Sequence, residues 1–203
     1  SDVCSSDLEA HVGGDGKIRV LASADGTAWE SLAVVAEEGI DLRDPKVSVT
    51  PDGRLLLVAG GSEYRGGTKL LGRQPRVAFS TDGRTWSAPK RVLAENDWLW
   101  RVTWHDRVAW GVAYRTGAPE GTPEDIGEWT TTLYKSPDGV SWQPVTVWDI
   151  PGRPNETTLR FRADGTAMAL VRRESGDREG WFGSAPPPYR DWTWKPIGRA
   201  IGA

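Results

Sequence analysis

One cysteine, one methionine, two histidines and three phenylalanines are all that these 203 residues hold of those types. A single Cys excludes a disulfide within the chain and leaves the compartment open, a secreted or periplasmic location being compatible with it. No His/Cys cluster has metal-ligand spacing and no Gly-rich phosphate loop is present, so neither a metal nor a cofactor is expected. No apolar run approaches the roughly 20 residues of a membrane helix, so no membrane segment is expected. Charge of one sign is lacking too: 25 basic residues face 28 acidic ones for a net charge of −3. Without a basic block to follow a phosphate backbone, nucleic acid is not an expected partner. Sustained helical periodicity is also missing; residues 30–38 come nearest, and their Val34-Val35 pair suits a strand better.

What the chain has is punctuation and repetition. Twenty-four Gly and 14 Pro separate many short strand-like runs. The motif Ser-x-Asp-Gly-x-x-Trp occurs three times, as Ser23, Asp25, Gly26, Trp29; Ser80, Asp82, Gly83, Trp86; and Ser136, Asp138, Gly139, Trp142, with Ser-to-Ser steps of 57 and 56 residues. Self-similarity at this period points to a propeller or solenoid. Asp-Gly favours a tight turn, because Gly accepts positive φ and the Asp carboxylate can accept hydrogen bonds from the amides of its own turn. Alternating apolar segments flank each copy, and two further runs with their own Asp-Gly turns, around Asp52-Gly53 and Asp164-Gly165, sit between copies. Four strands per repeat, with the motif between the third and fourth, predict an all-β propeller of four-stranded antiparallel blades.

The repeat sets expected boundaries: a half blade at 9–36, full blades at 41–93, 97–148 and 153–197, and a stub at 198–203, about three and a half blades of an incomplete propeller. Residues 1–8 fit no strand of the repeat and resemble translated adaptor read-through of the kind metagenomic fragments carry. They are expected to be a non-native leader, which would make Cys4 non-native as well.

The Ser-x-Asp-Gly-x-Thr-Trp turns resemble the Asp boxes, or BNR repeats, of the sialidase (neuraminidase) superfamily of six-bladed propellers, although the common box has one more residue between Asp and Gly. The resemblance assigns such boxes to exterior hairpins, in enzymes and non-enzymes alike. A second likeness concerns Pro154-Asn155-Glu156, the turn at Asp164-Gly165, and Arg172 seven residues past that Gly. Sialidases place a catalytic Glu at the start of the fourth blade and a substrate-clamping Arg after the following turn. The resemblance implies a glycoside hydrolase with a Tyr nucleophile, the recognised exception to paired carboxylates. Glu156 would activate that Tyr and Arg172 would be one of three Arg on the substrate carboxylate, since Arg offers a bidentate fork that Lys cannot imitate. Asp15 stands about where the resemblance places the acid, with a plain turn as its other reading, and His11 is a further candidate. The Tyr and the other two Arg fall outside the chain, so the fragment is expected to be inactive.

Other charges stand where innermost strands begin. Arg43 and Asp44 read either as channel-rim groups or as an ion pair and turn cap, and Arg101 as a rim group or an inter-blade salt bridge. Trp98 and Trp100 suit a sugar face or a core between blades. Alternation puts Arg172 and Arg173 on opposite faces of a strand, so one alone can face the site, with Arg173 the choice if the register slips. Arg160 and Arg162 share the parity of Glu156. Three functions follow: an exo-sialidase-like hydrolase on a carboxylated sugar, a non-catalytic propeller binding glycans or protein, and a hydrolase or lyase for another sugar acid.

Overall fold

A computed structural model of the chain describes residues 16–65, 69–116, 127 and 129–201. The expected leader 1–8, Cys4, His11 and Asp15 lie outside the described residues. Every regular element described is a strand, and the chain divides after Asn96 into two compact units.

In the first unit, β1 (Ile18–Ala22) and β2 (Glu30–Val35) form a two-stranded antiparallel sheet. Of residues 30–38, the nearest candidate for a helix, 30–35 are thus a strand. β3 (Asp41–Val49), β4 (Leu55–Arg65), β5 (Lys69–Ser80) and β6 (Lys90–Arg91) form a meander in that order. In the second unit β7 (Asp97–His105), β8 (Val108–Arg115), β9 (Thr130–Ser136) and β10 (Gln143–Trp148) repeat the plan. So do β11 (Pro154–Phe161), β12 (Ala167–Arg173), β13 (Glu179–Ala185) and β14 (Thr193–Ala200). The described residues therefore hold three four-stranded antiparallel sheets and one two-stranded sheet.

Each unit has its own core between sheets, as stacked sheets require of their facing sides. In the first, Ile18, Val20 and Val35 of the two-stranded sheet meet Leu42, Leu57, Ala59 and Ala78. In the second, Trp110, Val112, Leu133 and Trp148 meet Leu159, Ala167, Ala169 and Val171. Alternation along β12 is clean: Ala167, Ala169, Val171 and Arg173 are buried, while Met168, Leu170 and Arg172 take the other face. The second strand of a sheet is covered on both sides, which is why Leu56 to Gly61 of β4 read as an unbroken apolar run.

All three Ser-x-Asp-Gly motifs join the third and fourth strands of their repeat, or β1 and β2. The Ser hydroxyl accepts the Gly amide at 2.8, 2.8 and 2.9 Å, and one Asp oxygen accepts the next two amides at 2.7–2.9 Å. Gly26, Gly83 and Gly139 have φ of 77°, 73° and 78°, the left-handed region that a Cβ penalises. The indoles of Trp86 and Trp142 donate to Gly83 and Gly139 carbonyls at 2.9 and 3.1 Å. Trp29 differs from Trp86 and Trp142, which are half-buried: it is 44% exposed.

The β13–β14 connection carries the same turn with only the Trp of the motif, Trp192, and without its Ser, Asp and Gly. Tyr189 takes the glycine place at φ 65°, its amide bonded to the Pro186 carbonyl, and Trp192 three residues on donates to the Tyr189 carbonyl at 2.9 Å. The left-handed backbone costs about 1–3 kcal/mol in a non-glycine residue. Offsetting it, the Tyr189 ring is buried edge-on against Trp110, centroids 4.8 Å apart, and its hydroxyl donates to Gly165 O at 3.0 Å.

Candidate functional site

The first strand of each four-stranded sheet is broken at one equivalent place. Pairing jumps between Arg43 and Lys46 in β3, Leu99 and Val102 in β7, and Pro154 and Thr157 in β11. In each case two residues oppose one: Asp44 and Pro45 face Ala59, Trp100 and Arg101 face Val112, and Asn155 and Glu156 face Arg172. Such bulges re-aim side chains at the ends of sheets. Of the polar residues singled out at the strand openings, Asp44, Arg101 and Glu156 are therefore bulge residues, while Arg43 stays paired with Gly60. Asp44 shows the bulge most plainly, with φ of 53° and its carbonyl accepting the Lys46 ammonium.

Only in β11 does the bulge carry a carboxylate opposite a cation. Arg172 Nη1 lies 3.2 Å from Glu156 Oε1, and its Nη2 lies 2.6 Å from Glu174 Oε1. Asn155 Nδ2 donates to that same Glu174 oxygen at 2.9 Å. Asn155 is 3% exposed, and its Oδ1 accepts no hydrogen bond among the described residues. The three charged side chains are 20–30% exposed, so the cluster is reachable from solvent while its guanidinium is oriented from two sides. These three side chains, two carboxylates and one guanidinium, sum to a charge of −1.

Arg173, on the other face of β12, is a structural tie. Its Nε donates to Pro151 O at 2.7 Å, its Nη1 to Asp177 at 2.6 Å and to Glu179 O at 3.2 Å, and it lies over the Trp181 ring at 5.4 Å. Gly152 makes room for it: at φ 86°, a Cβ there would stand 2.5 Å from the guanidinium.

The remaining candidates are placed as follows. Arg43 Nε donates to Asp41, a 2% exposed carboxylate, at 2.6 Å. Arg101 is half-buried in the β7 bulge, its Nε without a hydrogen bond among the described residues, and Trp100 beside it is half-buried as well. Trp98 is buried at 6% exposure. Arg160 donates to the Leu159 carbonyl and Arg162 stands 3.9 Å from Asp164, so the cation beside Glu156 is Arg172 and neither of these. Asp15 and His11 lie outside the described residues. The three motif Asp are held as carboxylates by turn amides: those of Ala28 and Thr27 put Asp25 well below its usual range, and those of Thr85 and Arg84 lower Asp82.

Sequence reading missed Asn155 and Glu174, which gain their meaning only from the fold of β11 onto β12. It also missed Arg76, 3% exposed, whose Nε and Nη2 reach Glu37 at 2.6 and 3.2 Å across 39 residues. The Arg inside Arg76-Val-Ala-Phe was the only available signal. Among the described tyrosines, burial pushes both Tyr134 and Tyr189 up, helped by Asp97 and Asp106 respectively, opposite to an activated nucleophile. No group of three or more His, Cys, Asp or Glu that could hold a metal occurs among the described residues.

No family model matches the chain, and no curated protein matches it. Solved structures do. A protein of unknown function from Dyadobacter fermentans superposes with a TM-score of 0.79 at 17% identity, over 95% of this chain and 61% of that one. The α-L-arabinanase of Penicillium chrysogenum, complexed with arabinobiose, gives 0.67 at 16% identity over 89% and 58%. A Hadza microbial sialidase gives 0.64 at 18% identity over 92% and 41%. These likenesses define the fold as a β-propeller of four-stranded antiparallel blades, the fold that glycoside hydrolases of several kinds share. The chain spans about three fifths of the length of the first two of these solved chains.

Proposed function

We propose that the chain is part of a carbohydrate-processing propeller of the glycoside hydrolase kind, with Glu156 as its essential carboxylate and Arg172 as the cation that orients it. The observation that carries this is the Glu156–Arg172 pair: of three bulges at one register, only that of β11 joins a solvent-reachable carboxylate to a cross-strand guanidinium. Solved propellers that include an arabinanase and a sialidase support the substrate class.

In its finer form the reading is an exo-sialidase-like hydrolase acting on a carboxylated sugar. Glu156 would take the proton of a Tyr nucleophile, and Arg172 would turn its remaining N–H donors to the sugar carboxylate. Neither the Tyr nor the other two Arg are assigned in this chain, and the chain alone is inactive on this reading. Asp15 would be the acid, with His11 near it, and Arg43, Asp44, Arg101 and Trp100 would line further parts of the rim.

A second reading, a neutral sugar as substrate, is favoured by the −1 charge of the Glu156, Arg172 and Glu174 cluster, which repels an anion and suits an oxocarbenium-like transition state. The test uses the full-length protein that contains this segment. Glu156→Gln should lower kcat on its fluorogenic glycoside by at least about 100-fold; unchanged turnover would remove the reading. Arg172→Ala should weaken a carboxylate-bearing inhibitor far more than its neutral ester on the first reading, and both equally on the second.

A further inference from the structure

A cavity of about 90 Å³ opens at the end of the β3–β6 sheet where β4 leaves and β5 returns. Its wall presents Arg73, Arg76 and Arg91 as donors and Glu63 and Glu95 as acceptors. Arg76 is fixed from behind, by Glu37 on Nε and Nη2 and by the Gln74 carbonyl on Nη1 at 2.7 Å. A guanidinium has five N–H donors, so these three bonds leave one further N–H on each terminal nitrogen. Two glycines keep the space open. A Cβ at Gly61 would stand 3.0 Å from Ile40 and 3.2 Å from Arg76, and one at Gly72 would stand 2.7 Å from Glu95 Oε1. Neither glycine has the left-handed backbone that would by itself explain its identity.

The charges select the ligand. Three Arg against two Glu give the lining a formal charge of +1, and Glu37, paired with Arg76 from outside the lining, brings the group to neutrality. An anion would meet two carboxylates in the wall, a cation would meet three guanidinium groups, and an apolar group would strip water from all of them. An uncharged compound that both donates and accepts at adjacent atoms satisfies the wall, and vicinal hydroxyls match the planar forks of Arg and carboxylate. A volume of this size has room for several waters, which suits the hydroxyl edge of a ring reaching in from solvent.

We propose that this cavity binds one uncharged, polyhydroxylated sugar residue, its hydroxyls donating to Glu63 and Glu95 and accepting from Arg76 and Arg91. The site belongs to the unit that ends at Asn96 and does not rest on the reading of Glu156 and Arg172, which lie in the other unit.

The test is a titration of the ¹⁵N-labelled chain with glucose, galactose, mannose and arabinose, each to about 100 mM, followed by amide shifts. At least one neutral sugar should move the Gly61 and Gly72 amides saturably, whereas glucuronate and glucosamine should bind at least about fivefold more weakly. Gly72→Ala, and independently Glu63→Gln, should weaken the binding that moves these two amides by at least about fivefold, the loss of one hydrogen-bonding group. No saturable shift with any of the four sugars would overturn the proposal. So would glucuronate or glucosamine binding as tightly as the neutral sugar, or a Glu63→Gln chain that keeps full affinity.

Discussion

Arg172 stands across the β11 bulge from Glu156, Nη1 to Oε1 at 3.2 Å, and gives its other terminal nitrogen to Glu174 at 2.6 Å. The shorter contact is the one to Glu174, whose oxygen is also bonded to the buried amide of Asn155. Asn155 and Glu174 therefore set where the guanidinium lies, and Glu156 meets it there. Because all three charged side chains keep 20–30% of their surface, the pairing contributes orientation more than stability.

Removing one negative charge should be read out in binding. Glu174→Gln brings the cluster from −1 to zero, and we expect it to tighten binding of a carboxylate-bearing sugar by a few fold at low salt, with the gain fading above roughly 0.2 M. Its melting temperature should stay within about 2 °C of the parent. Isothermal titration at two salt concentrations checks this; an affinity for the acid that does not change would show the cluster's charge to be unseen by the ligand.

Arg172 and Arg173 should part company in thermal denaturation. Arg173→Ala loses hydrogen bonds to Pro151, Asp177 and Glu179 together with the Trp181 contact, and should cost about 2–3 kcal/mol, or roughly 5–10 °C in Tm. Arg172→Ala, partly exposed and on the other face, should cost under about 1 kcal/mol. Gly152→Ala should resemble Arg173→Ala, since its Cβ would strike the Arg173 guanidinium at 2.5 Å from a backbone at φ 86°.

The turn carboxylates give stability a defined acid limb. Burial raises the Asp138 carboxyl, but the amides of Ser141 and Val140 and the hydroxyls of Ser136 and Ser141 outweigh it and bring it from 3.8 to about 2. A depressed folded pKa contributes stability that is present above the unfolded value and lost as pH falls through the folded one. The contribution should therefore disappear between about pH 4 and pH 2. Asp138→Ala should destabilise by roughly 1–2 kcal/mol at pH 7 and far less at pH 2. Urea midpoints of both proteins at the two pH values test it; a constant difference would mean that the carboxylate's charge is irrelevant to the turn.

Tyr189 holds its turn, which lacks the motif's Ser, Asp and Gly, by packing and by its hydroxyl, and two variants separate these. Tyr189→Phe loses the bond to the Gly165 carbonyl and should cost about 1 kcal/mol. Tyr189→Ala also loses the ring beside Trp110 and Phe161 and should cost about 3–5 kcal/mol. Chemical denaturation ranks them, and equal costs would place the whole effect in the hydrogen bond.

Local chemistry was legible in the sequence where neighbours in the chain do the work. The Ser-x-Asp-Gly turns close on their own amides within six residues, so Ser80, Asp82 and Gly83 announce their hairpin wherever they stand. Strand alternation is equally local, and it placed Arg172 and Arg173 on opposite faces. The turn at Tyr189 was illegible, because its left-handed residue is held by Trp110 and Gly165, 79 and 24 residues away, and not by a glycine.

What the sequence by itself determined is the all-β repeat: an Asp-Gly turn and a period-2 apolar pattern each act over a few residues, and their recurrence near every 56 residues carries the blade plan. What only the tertiary structure decided is which charges meet. The bulge that sets Asn155 and Glu156 against Arg172, the Glu174 carboxylate that joins them, and the Arg76–Glu37 pair spanning 39 residues depend on register and sheet packing. Those are sums over many weak contacts between distant segments, and no short stretch of chain encodes them.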